Sequence, residues 1–176
     1  NSTLGDGSRF TVTLPLKTAH SPKRTAQPLL KEQSRPFDWT GRNILVAEDN
    51  ELNLEIITEI LRLMGARVLP AANGAEAVRI FRAAPTDSID VILMDMQMPE
   101  MDGCEAASAI RRLERPDAGD VPIIAVTANA FAEDIDRTTK AGMNDHVSKP
   151  IDSAILRQTM EKLITEWDAR RSTPRE

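Results

Sequence analysis

The chain has 176 residues, 41% hydrophobic and 28% charged, with a net charge of −5, one cysteine and no tyrosine. That apolar share excludes wholesale disorder, and the length suits one packed domain with extensions rather than two large domains. The acidic balance argues against nucleic acid as the main partner. Cys104 has no second cysteine to pair with, and no Cys/His group has zinc-ligand spacing, so a reducing, cytoplasmic setting is expected. The apolar runs fall far short of the roughly 20 residues of a membrane helix, and no secretory pattern opens the chain, so no membrane contact is expected of this segment. Its first residue is Asn1 rather than Met, which suggests a piece of a longer or processed protein.

Residues 1–16 are charge-balanced, whereas residues 17–42 carry six basic and two acidic side chains with Pro22, Pro28 and Pro36 among Ser, Thr and Gln. Such a stretch cannot bury enough surface to offset ordering entropy, so 17–41 reads as an extended linker. From residue 43 short apolar runs alternate with amphipathic ones. Ile44–Ala47, Val91–Met94 and Ile123–Val126 are continuous and largely branched, as strands covered on both faces should be; Ala66–Leu69 and Asp145–Val147 are weaker strand candidates. Asn50 can cap a helix in which Leu54, Ile57, Leu61 and Met64 recur at helical spacing until Gly65. Further helices are predicted over Gly74–Ala83, Cys104–Leu113, Ala130–Ala141 and Ser153–Trp167. Five strands alternating with five helices imply right-handed crossovers and a doubly wound α/β domain with a parallel sheet.

In such sheets functional groups collect beyond the carboxyl ends of the strands. The first strand ends in Glu48-Asp49, the third in Asp95 and the fourth in Thr127, and Lys149-Pro150 follows the fifth. Three carboxylates, a hydroxyl and an ammonium therefore converge on one edge. Carboxylates packed together repel unless a cation neutralises them. Mg²⁺, which takes few protein carboxylates and keeps waters and a phosphate oxygen, suits a shallow acidic pocket of this kind. Asp49, Asp95 and a backbone carbonyl just after Asp95 are the expected ligands, with Glu48 acting directly or through water. Asp95 is the candidate nucleophile towards phosphorus, with Thr127 and Lys149 receiving the phosphoryl oxygens.

Four ordered segments carry a resemblance: Ile44-Leu45-Val46-Ala47-Glu48-Asp49-Asn50-Glu51-Leu52-Asn53, Leu93-Met94-Asp95-Met96-Gln97-Met98-Pro99-Glu100-Met101-Asp102-Gly103, Ile124-Ala125-Val126-Thr127-Ala128, and Gly142-Met143-Asn144-Asp145-His146-Val147-Ser148-Lys149-Pro150. Together they resemble a response-regulator receiver domain of the kind attached to hybrid sensor histidine kinases, over about 42–168, leaving 169–176 as a tail. The resemblance implies a flavodoxin-like sheet of order 2-1-3-4-5 and a phosphoryl group accepted by Asp95 from a phosphohistidine. Further, it implies Mg²⁺ held by Glu48, Asp49, Asp95 and the Gln97 carbonyl, and a cis peptide before Pro150. Partners would be the phosphohistidine domain of a histidine kinase and a histidine-phosphotransfer domain, with the first helix around Leu52 and Ile56 as docking face. Thr127 would be drawn towards the new phosphoryl oxygens. His146 stands where many receivers carry a switch Tyr or Phe, which departs from the aromatic version. Gly5-Asp6-Gly7-Ser8-Arg9-Phe10-Thr11-Val12-Thr13-Leu14-Pro15-Leu16 is similar to the last turn and strand of a histidine-kinase ATP-binding domain. No ATP site can form from so little, and the resemblance implies a hybrid kinase as the parent chain, a class that can be anchored in a membrane outside this segment.

Two rival readings share these residues. A haloacid-dehalogenase-type phosphatase also phosphorylates an Asp on an α/β sheet, but needs a second Asp two residues on, where Gln97 stands. The second is a binding-only pseudo-receiver that never takes phosphate; the presence of all the required site residues argues against it, but presence is not activity. Blander roles exist for single residues: Glu48-Asp49 as acids favoured by a helix dipole, Thr127 as a cap, Lys149 as a loop charge. Met96, Met98 and Met101 read as loop packing, and Cys104 as a small apolar side chain.

Overall fold

The computed structural model of the chain describes residues 2–3, 7–8, 37–128 and 132–172. The chain divides into two units, residues 1–35 and 36–176. In the first, β1 (Ser2–Thr3) pairs antiparallel with β2 (Gly7–Ser8). Most of the segment similar to an ATP-binding domain, and the linker from 17 to 36, lie outside the described residues.

The second unit is built on β3 (Asn43–Ala47), β4 (Arg67–Ala71), β5 (Val91–Asp95), β6 (Ile123–Thr127) and β7 (Asp145–Ser148). All pairings are parallel and the spatial order is β4-β3-β5-β6-β7, which is 2-1-3-4-5 counted within this sheet, as expected. Intervening helices are α1 (Glu51–Met64), α2 (Gly74–Ala83), α3 (Gly103–Arg111), α4 (Ala132–Lys140) and α5 (Ser153–Arg171).

Alternation along the strands divides the core. Leu45, Ala47, Ile92, Met94, Ile123 and Ala125 face a cluster holding Val78 and Phe81 of α2 and Ala106, Ala107 and Ile110 of α3. Ile44, Val46, Val91, Leu93, Ile124 and Val126 face the opposite cluster, with Ile57 and Leu61 of α1 and Leu156, Met160 and Ile164 of α5. Both faces are covered, which is why the strands read as continuous apolar runs rather than alternating ones. Met96 and Met98 are buried in the first cluster, and Met101 packs against it.

Boundaries move at three places. The core reaches ahead of the expected start at 42, because Trp39 is buried in the second cluster. Phe37 packs on Trp39 with ring centroids 4.6 Å apart, and the Arg42 guanidinium lies 5.5 Å above the Phe37 ring. At the other end α5 runs past Trp167 and Asp168 to Arg171, one turn into the stretch read as a tail. Arg171 donates to Asp90 Oδ1 and Asp168 Oδ1, and Arg42 donates to the same two carboxylates, so the start of β3 and the end of α5 are tied by two cations and two anions. Finally, β4 continues through Pro70 to Ala71; it is an edge strand, where a missing N–H costs no ladder bond.

Candidate functional site

Each site residue sits where an apolar strand ends. Glu48 and Asp49 follow β3, whose line is prolonged by the Glu48 N–H donating to the Ala71 carbonyl at 3.1 Å. The chain then turns into α1, whose N-cap Asn50 accepts from the Asn53 N–H. Asp95 closes β5 opposite Val126, and Thr127 is the next residue of β6. Thr127 in turn lies level with Ser148 of β7, and its carbonyl accepts from the Lys149 N–H at 2.7 Å. The Lys149–Pro150 peptide is cis. Parallel register thus delivers all five residues to one edge of the sheet.

The geometry is compact. Lys149 Nζ lies 2.8 Å from Asp95 Oδ2 and 2.7 Å from Glu48 Oε2. Burial alone would lower the Lys149 pKa, but its hydrogen bond to Asp95 and its close approach to the Glu48 carboxylate outweigh that and raise it above the ordinary lysine value. The ammonium is therefore charged at neutral pH. Asp95 Oδ1 accepts from the Gln97 N–H at 3.2 Å. Glu48 and Asp95 are buried while Asp49 is exposed, and each of the three carboxylates offers an oxygen within 4.8 Å of the others.

Three carboxylates share a partly buried pocket with one ammonium. Glu48 Oε2 is buried and makes no aligned hydrogen bond despite its close approach to Lys149. An all-oxygen donor set with more carboxylates than cations and an under-used buried oxygen fits a hard divalent cation such as Mg²⁺. Such a cluster could bind a metal.

Two residues shape this edge without taking part in the sequence reading of the chemistry. Gly103, the first residue of α3, donates its N–H to the Met96 carbonyl, and a Cβ there would sit 2.3 Å from the Asp95 carbonyl oxygen. Asn53 donates from Nδ2 to Glu48 Oε1 at 2.9 Å. Both lie within the quoted segments, but nothing in the order of residues tells which side chain meets which across the turn. His146 stands apart. It is level with Ala125, two residues back along the sheet from Thr127 and Ser148, and its ring Nδ1 is 3.9 Å from Asp145 Oδ1. Beside the acidic pocket, Asn53, Ile56, Ile57, Lys149, Pro150 and Ile151 line a cavity of about 190 Å³. Ile56 is exposed, as is Leu52 on the same helix.

A five-stranded parallel sheet of order 2-1-3-4-5, with an acidic cluster that could bind a metal at its carboxyl edge, defines a doubly wound α/β domain of flavodoxin-like topology. The response regulator receiver domain family matches residues 44–161, and the chain belongs to that family. Among its relatives, hybrid signal transduction histidine kinase I of Dictyostelium discoideum is 38% identical over 128 residues, 72% of this chain. The match spans only 7% of that kinase. The receiver domain of sensor histidine kinase PA1611 from Pseudomonas aeruginosa PAO1, solved with a magnesium ion in its active-site cleft, is 40% identical with a TM-score of 0.65, covering 72% of this chain and 99% of that one. The receiver domain of the Saccharomyces cerevisiae response regulator Ssk1, solved in complex with the histidine phosphotransfer signaling protein Ypd1, is 30% identical with a TM-score of 0.63, covering 77% and 94%. Among the described residues no helix is long and apolar enough to cross a membrane.

Proposed function

We propose that this chain is a phosphorelay receiver from a hybrid sensor histidine kinase in which Asp95 accepts a phosphoryl group from a phosphohistidine. The observation that carries the reading is the bridge of Lys149 Nζ between Asp95 Oδ2 and Glu48 Oε2, at 2.8 and 2.7 Å, beside a third carboxylate. A carboxylate oxygen placed at the end of a strand beside a fixed cation can serve as a nucleophile towards phosphorus. As the Asp95 oxygen bonds to phosphorus the N–P bond of the donor breaks, and the departing imidazole recovers its electron pair and takes up a proton.

Glu48, Asp49, Asp95 and the Gln97 carbonyl would hold Mg²⁺, which supplies charge neutralisation for the phosphoryl oxygens when bound. Lys149 can turn from Asp95 Oδ2 to a phosphoryl oxygen without leaving Glu48, because Nζ already touches both. Thr127, buried on the adjacent strand, offers its hydroxyl to a second phosphoryl oxygen. Closing on the acyl phosphate in this way would bias the surface of α4, β7 and α5, a shift of population within one fold. His146 lies on that surface. Onward transfer would go to a histidine-phosphotransfer domain seated over the exposed Leu52 and Ile56, the second of which lines the cavity next to Lys149. In this reading residues 1–16 end the kinase's ATP-binding domain and a linker leads from there into the receiver.

The test is phosphorylation by acetyl phosphate with Mg²⁺, followed by intact-mass spectrometry. One added phosphoryl is expected in the native chain and none in Asp95→Asn. Equal uptake by the variant would overturn the assignment.

A further inference from the structure

We infer that Asn53 is a positioning residue of the acidic pocket: its side-chain amide holds the Glu48 carboxylate in the orientation that presents Oε2 to the cation site. This rests on the receiver reading and deepens it. Glu48 is almost completely buried, so each of its oxygens needs a partner within the protein or a bound cation. Oε1 receives the Asn53 Nδ2–H at 2.9 Å. Oε2 lies 2.7 Å from Lys149 Nζ without an aligned hydrogen bond, and belongs to the group of carboxylates whose oxygens come within 4.8 Å. Fixing one oxygen of a planar carboxylate on the helix side directs the other to the pocket.

The backbone makes this placement specific. Asn53 is the third residue of α1, and its own N–H is bonded to the Asn50 side chain, which fixes the first turn. In a reciprocal capping arrangement the side chain at this position returns to the N-cap backbone. Here the Asn53 amide is turned to Glu48 instead, across the β3–α1 junction. Asn is a weaker helix former than Ala, so nothing about helix stability calls for it there. The residue also lines the cavity bordered by Ile56 and Pro150, so it forms the polar wall between the pocket and the apolar surface beside it. Outer hydrogen bonds to metal-ligating carboxylates commonly govern metal affinity by about tenfold or more when removed.

The test needs no phosphodonor. Mg²⁺ is titrated into the native chain and into Asn53→Leu, which keeps the side-chain volume but cannot donate, following the amide resonances of Asp95 and Gln97. Mg²⁺ affinity is expected to fall about tenfold in Asn53→Leu and to recover in part in Asn53→Gln, which restores a donor. Equal affinity in Asn53→Leu and the native chain would overturn the positioning role. Should Asn53→Leu fail to fold, the native Asn53 side-chain NH₂ resonances decide: they should move with the same apparent Mg²⁺ affinity as Asp95, and their standing still would overturn it. A native chain that binds Mg²⁺ but takes no phosphate would overturn the phosphoacceptor reading alone and leave the Asn53 result standing.

Discussion

Gly103→Ala tests how tightly the phosphoacceptor strand is packed against the helix that follows it. A Cβ at Gly103 would lie 2.3 Å from the Asp95 carbonyl oxygen and 3.1 Å from both the Asp95 carbonyl carbon and the Met96 Cα. These are backbone atoms with no rotamer to change, so an ordinary contact requires moving α3 and the end of β5 apart by about 1 Å. Overpacking of this kind costs roughly 1–3 kcal/mol. Reduced unfolded-state entropy and better helix propensity return at most about 1 kcal/mol. A net destabilisation of about 1–2 kcal/mol is expected, and urea denaturation should read it as a midpoint shift of about 1 M at unchanged slope. Because the displaced group carries Asp95, phosphate uptake should fall by roughly a hundredfold, the penalty of about 1 Å at a reacting atom. Gly119 is the control, since no heavy atom lies within 4 Å of a Cβ there and its φ is not in the left-handed region. If Gly103→Ala unfolds at the same urea concentration as Gly119→Ala and takes phosphate at the native rate, the reasoning fails.

Arg115→Met should cost about 3–5 kcal/mol in denaturant unfolding, because it strands the buried Asp117 carboxylate, paired with Arg115 at 2.6 Å, and the Phe81, Ala84 and Pro85 carbonyls that Arg115 caps. Adding Asp117→Asn should recover part of that loss, and a single-variant cost below about 1 kcal/mol would contradict the account. In acid, Asp117 and Asp168 govern the response. Burial alone would raise both carboxyls, but hydrogen bonds from Arg115 to Asp117, and from Arg42 and Arg171 to Asp168, hold them below the usual carboxylate range. A depressed folded-state pKa stabilises above the unfolded value of about 3.9 and is lost as pH falls through the folded value. Melting temperature should therefore be level between about pH 5 and 7 and drop below about pH 4, with a shallower drop in Asp117→Asn; parallel acid profiles would refute the assignment.

The three apolar runs at Ile44, Val91 and Ile123 were legible as central strands because burial on both faces leaves no polar position to interrupt them. The weaker candidates were legible for the opposite reason: β4 and β7 are edge strands, half covered, and one of them tolerates Pro70. The gathering of Glu48, Asp49, Asp95, Thr127 and Lys149 at one edge was legible because Glu48, Asp95 and Thr127 stand directly after apolar runs and Asp49 and Lys149 one residue further on. The packing ahead of residue 42 and the end of α5 at Arg171 were not. They depend on Trp39 reaching the core and on Arg42 and Arg171 sharing Asp90 and Asp168, contacts between residues far apart in the chain.

Local order of residues by itself determined the strand–helix alternation, and with it a parallel sheet whose polar groups gather at one edge, since hydrophobic period and strand-end position are properties of neighbours in sequence. Tertiary structure alone decided the pairings at that edge. Lys149 sits between Glu48 and Asp95, Asn53 is turned to Glu48 rather than to its own helix cap, and Gly103 lies against the Asp95 carbonyl. Each of these is a matter of ångströms across a turn or between strands, and those distances are set by sheet register and helix packing.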